Sequence, residues 1–324
     1  MTEPILIVGS GALASLFAAR LAASGRKVRM LANWPEGLAA LRDEGVTLLD
    51  EVGAHNYSVL VSNSPAEFVG ARLALVLVKS WQTERVAQQL TACLAEDGLA
   101  LSLQNGLGNY EILAEQLGEE RCALGSTTTG ASLEAPGRVR AGGEGHILLG
   151  EHARIAPLES ALAKAGFDVQ VDEDFDSVLW GKLAINAAIN PLTALLEIPN
   201  GELLEFKECL RWMRVLAAEV TAAAEAQGIY LPFDDAFEAA QDVARRTTSN
   251  RSSMLQDIQR GAPTEIEAIC GAVLRAGERL GVATTANRQM RDWVLAKVAG
   301  EALDFDALIR NKLPEEQEAL GDDE

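Results

Sequence analysis

The sequence predicts an α/β domain built on a mostly parallel sheet, followed by an all-α domain. Three observations predict it. Short, wholly apolar runs alternate with helical stretches over the first half of the chain. A glycine-rich turn joins the first such run to the first helix. Beyond about residue 174 the helical period continues and the strand signal stops.

Ile5–Val8 is apolar throughout and too short for a helix, so it reads as a strand buried on both faces. Gly9 follows, then a helix over Leu13–Ala23. Lys27–Leu31, Leu73–Val78, Leu99–Leu103 and Cys122–Gly125 read as further strands. Their alternation with helices implies a parallel sheet covered on both sides. Arg138–Arg140 and His146–Leu149 flank the glycine-rich Ala141–Gly145 and are expected to form a hairpin. A helix over Ala156–Ala165 and a strand over Phe167–Val171 complete a first domain, placed at residues 1–172.

The second domain, 173–312, is expected to be helical. Val178–Ile189 is an apolar helix, and Leu210–Gln227 is a long amphipathic one stopped by Gly228. Phe233–Arg246 and Ala286–Val298 are two more. Thr264–Leu280 opens with Thr264 as the expected N-cap and Glu267 as its capping-box partner, and Gly281 closes it. Residues 313–324 form an acidic tail, read as a solvated terminus.

Composition narrows the function classes. The chain has 324 residues, 48% of them hydrophobic and 23% charged, as in ordinary globular proteins. Its net charge of −19 argues against nucleic acid and against an anionic membrane surface as partners. No apolar run approaches the roughly 20 residues of a membrane helix. Met1-Thr2-Glu3-Pro4 lacks the basic start of a signal peptide, and with no disulfide framework among the cysteines a cytoplasmic location is expected. Cys93, Cys122, Cys209 and Cys270 are scattered, and the histidines are His55, His146 and His152. Neither set has zinc-site spacing, so no metal is expected. A proton donor other than histidine is expected if the chain is an enzyme.

Gly9-Ser10-Gly11-Ala12-Leu13-Ala14 is the dinucleotide fingerprint in its alanine-ended form. Gly9 permits the tight turn. Gly11 lets backbone approach a pyrophosphate, and the small Ala14 lets helix pack on strand. With a strand before and a strand–helix unit around it, the motif makes the first domain Rossmann-like. The second strand should end on an acidic residue for NAD or near an arginine for NADP. Asn33 stands there and is neither. Lys79 closes the strand Leu73–Val78 and is placed to reach a phosphate; a solvated strand end is the alternative reading.

On the apolar helix Val178–Ile189, continuing to Asn190-Pro191, Lys182, Asn186 and Asn190 recur every four residues. They form one stripe. A buried lysine without a partner is costly or loses its proton, so the stripe requires solvent or a polar ligand. Burial lowers a lysine pKa towards neutrality, where general acid catalysis is most effective. Lys182 is therefore the candidate donor. Asn250, Ser253 and Asp257 share a face if their segment is helical, although Asn250 or Ser253 would also serve as a cap. Glu265 lies just inside the expected Thr264–Leu280 helix, where a carboxylate suits the dipole.

Taken together, these segments resemble the ketopantoate reductase family. The resemblance runs in order over about residues 4–300, through the glycine turn, Val78-Lys79-Ser80-Trp81-Gln82, Gln104-Asn105-Gly106-Leu107-Gly108 and Gly125–Thr128. It is strongest in Trp180–Asn186 with Ile189–Ala194, in Pro199-Asn200-Gly201-Glu202-Leu203, in Ser252–Ile258 and in Thr264-Glu265-Ile266. It implies a nicotinamide-dependent reduction of 2-dehydropantoate to pantoate, with Lys182 as general acid. It implies Asn105 beside the nicotinamide and near substrate, and Lys79 near the adenosine phosphate. Asn186, Asn190, Asn250 and Ser253 would hold substrate, and Glu265 would contact substrate or assist catalysis.

The pattern is departed from at three points. Asn33 stands where the family commonly has an arginine for the 2′-phosphate, Ala14 replaces the third glycine, and Thr129 replaces a histidine or tyrosine. NADPH is the expected cofactor, with NADH the alternative, a 2-oxo acid the expected small-molecule partner and a homodimer the expected assembly. Two other functions compete: a reductase of another 2-oxo acid, and a protein that senses a dinucleotide without turnover. The presence of both Lys182 and Glu265 counts against the second.

Overall fold

The computed structural model describes residues 3–143 and 145–311. The acidic tail at 313–324 lies outside them. The chain divides into two units, the first ending at Phe175 and the second beginning at Asp176.

The first unit contains β1 (Ile5–Val8), α1 (Ala12–Ala23), β2 (Val28–Leu31), α2 (Pro35–Glu44), β3 (Val46–Leu49), β4 (Ala54–Tyr57) and β5 (Leu60–Ser62). There follow β6 (Ala71–Val76), α3 (Thr83–Thr91), β7 (Leu94–Ser102), α4 (Asn109–Leu117), β8 (Cys122–Thr127) and β9 (Ala131–Ala135). β10 (Arg138–Ala141), β11 (His146–Gly150), α5 (Ala156–Lys164) and β12 (Asp168–Asp172) end it.

Eight strands form the main sheet in the order β12-β11-β8-β7-β6-β1-β2-β5. Its neighbours are parallel except β8 and β11. β1 is central and aligns Ile5 with Val28 on one side and with Leu73 on the other. Alternate residues serve different faces. Ile5, Ile7 and Leu75 join Phe17 and Leu21 of α1, whereas Leu6, Val8 and Val76 join Val86 and Leu90 of α3 and Leu113 of α4. Two buried faces explain why β1 is apolar at every position and β6 from Leu73 to Val76.

The expected hairpin does not form. β11 pairs with β8 and β12 in the main sheet. β10 instead pairs antiparallel with β9 and parallel with β3 in a second sheet, ordered β4-β3-β10-β9. The glycine-rich stretch is a crossing between sheets, not a turn within one. Its glycines allow close backbone approach: a Cβ on Gly142 would lie 2.9 Å from the Gly130 carbonyl carbon. Residues of both sheets join α1 in one core, including Val46, Leu48 and Val139. This leaves α1 buried at Ala14–Ala19 and at Leu21. Phe17 also stacks on Phe167 at 4.3 Å.

From Asp176 on, no strand occurs among the described residues. The elements are α6 (Phe175–Leu196), α7 (Lys207–Glu225), α8 (Ala236–Arg246), α9 (Ser253–Gln259), α10 (Cys270–Leu280), α11 (Thr285–Val298) and α12 (Phe305–Asn311). Trp212 of α7 meets Trp293 of α11 edge to face at 5.4 Å. Its indole N–H donates to the Ile309 carbonyl at 3.0 Å, which anchors α12.

The capping box expected at Thr264 is absent. α10 begins at Cys270, and the preceding residues form turns in which Glu265 O accepts from Ala268 N and Ile269 N. Glu267 does not reach back to Thr264; its carboxylate pairs with Arg291 of α11 at 2.8 Å. Glu265 consequently lies in this turn and not in the first turn of a helix. Gly281 does close α10, in the left-handed conformation.

Candidate active site

The first unit supplies a cradle at the carboxyl end of β1, where strand order reverses between β1 and β6. Ligands of open α/β sheets bind at such switch points. Gly9 has φ +129°, and a Cβ there would lie 3.2 Å from the Leu77 carbonyl oxygen. Gly11 caps α1 with no side-chain hydrogen bond, and a Cβ built on it meets no atom within 4 Å. The start of α1 therefore has no side-chain cap and no acidic residue in its first turn. That arrangement fits a pyrophosphate. Ser10 is buried, Ala12 and Leu13 are half-buried, and Ala14 is fully buried with room for its methyl group.

Lys79 lies beyond the end of β6 at Val76, three residues further than a strand-closing position. It precedes a short 3-10 turn, Ser80–Gln82, that leads into α3. Asn33 follows β2, and its amide pairs with that of Gln89 on α3. Asn105 follows β7 and is half-buried, and its carbonyl accepts from Asn109 Nδ2 at 3.1 Å.

Behind Asn105 runs a buried hydrogen-bond chain. Ser102 Oγ donates to Gln104 Oε1 at 3.0 Å, and Gln104 Nε2 donates to Thr83 Oγ1 at 2.8 Å and to the Val78 carbonyl at 3.1 Å. Thr83 Oγ1 donates to Asn109 Oδ1 at 2.8 Å. One network thus ties the Lys79 turn and the Asn105 turn to the starts of α3 and α4. Thr83 and Asn109 were not singled out from the sequence, and Gln104 entered only as part of the Gln104–Gly108 stretch. The available signal was the polar pair Gln104-Asn105 directly after a largely apolar strand.

The second unit carries the polar stripe on α6. Lys182 and Asn186 are half-buried, and Asn190 is buried. Burial of the Lys182 ammonium lowers its pKa to about 8, against the opposing influence of Glu265, which favours the charged form. Glu265 is itself buried, at 4% exposure. The turn before α10 thus brings a carboxylate to act on the lysine.

Pro191 lies inside α6, and two residues on, Thr193 Oγ1 is hydrogen-bonded to Ser252 Oγ at 2.7 Å. Ser252, not Asn250 or Ser253, is the N-cap of α9, accepting from Leu255 N at 3.0 Å. Ser253 opens α9, one residue beyond this contact. The expected shared face of Asn250, Ser253 and Asp257 does not exist, because Asn250 precedes the helix. Asn250 is exposed, and its carbonyl accepts from Asn200 N at 3.0 Å. Asn200 Nδ2 donates to Thr247 Oγ1 at 2.9 Å, and Gly201 N donates to the Thr248 carbonyl at 3.1 Å. The Pro199–Leu203 segment is thus a clamp on residues 247–250.

No group of three or more His, Cys, Asp or Glu able to hold a metal occurs among the described residues. No described helix is long and apolar enough to cross a membrane. The four cysteines are buried and free.

Comparison with known proteins covers both units. A model described as Ketopantoate reductase PanE/ApbA matches residues 5–154, and its C-terminal counterpart matches residues 174–297. A curated 2-dehydropantoate 2-reductase of Archaeoglobus fulgidus is 35% identical over 92% of this chain and 99% of its own. That of Halobacterium salinarum is 33% identical over 90% and 97% respectively. A crystal structure of a PanE/ApbA family ketopantoate reductase from Ralstonia eutropha superposes with a TM-score of 0.85 at 30% identity, over 92% of this chain and 99% of that one. A D-mandelate dehydrogenase solved with NADH shares the fold, with a TM-score of 0.86 at 24% identity, over 92% and 99%.

Proposed function

The chain belongs to the ketopantoate reductase family, and from that premise we propose that it is the oxidoreductase that reduces 2-dehydropantoate to (R)-pantoate, a step towards pantothenate and coenzyme A. The observation that carries this reading is Lys182. It is a lysine on a polar stripe of an otherwise apolar helix, with its pKa lowered by burial to about 8 and a buried glutamate acting on it.

A reduced nicotinamide, when bound, supplies the hydride that adds to the keto carbon. The residues of this chain do the rest. The Gly9–Ala14 turn holds the pyrophosphate through backbone N–H groups, and Lys79 lies towards the adenosine phosphate. Asn105 orients the nicotinamide end. Lys182 hydrogen-bonds the keto oxygen and transfers a proton from Nζ as negative charge develops there. A general acid contributes about 10²- to 10⁴-fold to rate. Glu265 keeps Lys182 protonated near neutrality, offsetting part of the desolvation. Asn186, Asn190 and Ser253 offer amide and hydroxyl groups to the carboxylate and hydroxyl of the substrate. Asn250 is assigned a lesser part, since its side chain is exposed.

NADPH is the proposed cofactor. The neutral Asn33 favours NADH as the second reading. We assign the enzyme to the cytoplasm on the sequence reading, and a homodimer is proposed as its assembly.

The test is cofactor oxidation followed at 340 nm with 2-dehydropantoate, run in parallel with NADPH and NADH. Turnover with either supports the reaction, and their ratio decides the cofactor. Binding of a dinucleotide without turnover on any 2-oxo acid would remove the enzyme reading in favour of a sensor. Turnover confined to another 2-oxo acid would reassign the substrate.

A further inference from the structure

Asn33 follows β2, at the place where a dinucleotide fold reads the 2′ position of the adenosine ribose. Its amide is not free to turn. Asn33 Nδ2 donates to Gln89 Oε1 at 3.1 Å, and Gln89 Nε2 donates to Asn33 Oδ1 at 3.2 Å. The reciprocal pair consumes one N–H and one acceptor position of each amide and leaves Asn33 a second N–H for a ligand. A neutral amide donates a hydrogen bond to a phosphate but cannot balance its charge.

The element beside Asn33 can. Gln89 lies on α3, and Arg85 precedes it by four residues on the same helix. Residues so spaced share a stripe, with Arg85 about 6 Å nearer the N-terminus of α3. That N-terminus leaves the Lys79 turn, and the neighbouring Val78 packs within 3.3 Å of the Cβ position of Gly9 in the pyrophosphate cradle. Arg85 therefore lies on the stripe that leads from Asn33 towards the cradle. It is exposed and makes no ion pair with a described residue. An arginine fork suits a phosphate, to which it can donate two hydrogen bonds at once.

We propose that Arg85, together with the Asn33 amide held by Gln89, reads the 2′-phosphate of NADPH in this chain, supplying from α3 the cation that position 33 lacks. The inference rests on the dinucleotide reading above and goes beyond it by naming the specificity determinant.

The experiment measures dissociation constants of NADPH, NADH and adenosine 2′,5′-bisphosphate by calorimetry. It compares the unmodified protein with Arg85→Ala, Arg85→Lys and Gln89→Glu. Arg85→Ala is expected to weaken both 2′-phosphorylated ligands by about ten- to a hundredfold, the scale of a hydrogen bond to a charged group. NADH should change by less than about twofold. Arg85→Lys should recover part of the loss, because it keeps the charge without the fork. Gln89→Glu should weaken NADPH and spare NADH, since it places an anion beside the phosphate. Equal losses for NADPH and NADH in Arg85→Ala, or no loss for either, would overturn the proposal while leaving the reductase reading intact. An unmodified protein that binds neither dinucleotide would overturn both.

Discussion

The hydroxyls of Thr193 and Ser252 meet at 2.7 Å although 59 residues separate them. Thr193 follows the proline in α6, and its Oγ1 also lies 3.1 Å from the Ile189 carbonyl and 3.0 Å from that of Asn190. Ser252 meanwhile caps α9. One contact therefore fixes the start of α9 relative to the helix that carries Lys182, Asn186 and Asn190.

Ser252→Ala removes a cap and the link between α9 and α6, while the Thr193 hydroxyl keeps the Ile189 and Asn190 carbonyls within reach. Loss of such a cap costs about 0.5–2 kcal/mol. Thermal unfolding should show a lower Tm, and KM for the 2-oxo acid should rise more than kcat falls. A Thr193→Val/Ser252→Ala double variant should be less destabilised than the sum of the singles. Additive losses would show that the two hydroxyls act independently.

Lys182→Ala should lower kcat by about 10²-fold or more, with dinucleotide affinity retained. A near-normal kcat would remove Lys182 from the role of acid. The donor must be protonated, so kcat/KM should fall as pH rises through about 8, the value set by burial.

Glu265→Gln removes the influence that raises the Lys182 pKa. The alkaline limb of the pH profile should therefore move to lower pH. A limb that stays in place would mean that Glu265 does not act on the lysine.

Glu219 of α7 caps α11 from outside. Its carboxylate accepts from Ala286 N and Asn287 N at 2.8 Å each and from Asn287 Nδ2 at 2.9 Å. Burial raises its pKa above the ordinary glutamate value, and these hydrogen bonds lower it in part. Between the ordinary value and the raised one, the folded state holds a proton that the unfolded state has released. The contribution of Glu219 to stability is therefore full at lower pH and falls as pH rises through that window. Glu219→Ala should lose the cap and about 1–3 kcal/mol, read by denaturant unfolding across pH 4 to 7.

Gly201→Ala should destabilise the clamp on residues 247–250. A Cβ at Gly201 would lie 2.5 Å from Thr248 Cγ2 and 2.8 Å from its Cα. Overpacking of this kind costs about 1–3 kcal/mol, and Tm in thermal denaturation is the measure. Thr248→Gly in the same chain should restore part of the loss, since it removes the side chain while keeping the backbone.

The strands that were legible are those whose composition has one explanation. Ile5–Val8 is apolar at every position, and Leu99–Leu103 at all but Ser102, because both faces of the main sheet are covered. The second sheet was not legible. Ala54–Tyr57 alternates exposed and half-buried residues without an apolar run. β3 finds its partner β10 about ninety residues later, as in the register Thr47 with Arg138. The polar stripe on α6 was legible because lysine and asparagine are conspicuous on an apolar helix. The place of Glu265 was misread because Thr264 and Glu267 imitate a capping box. Arg291, on another helix, took up the Glu267 carboxylate instead.

The sequence by itself determined the α/β and all-α halves, the glycine cradle, the lysine stripe and the family. Each depends on neighbours along the chain: a period, a turn that only glycine allows, or a motif in order. Only the tertiary structure decided which groups stand beside them. Glu265 meets Lys182, Ser252 meets Thr193, and Gln89 holds Asn33 through contacts between residues far apart in sequence. A hydrogen bond or ion pair acts over a few ångströms of space, and no periodicity along the chain records which distant segment packing will bring there.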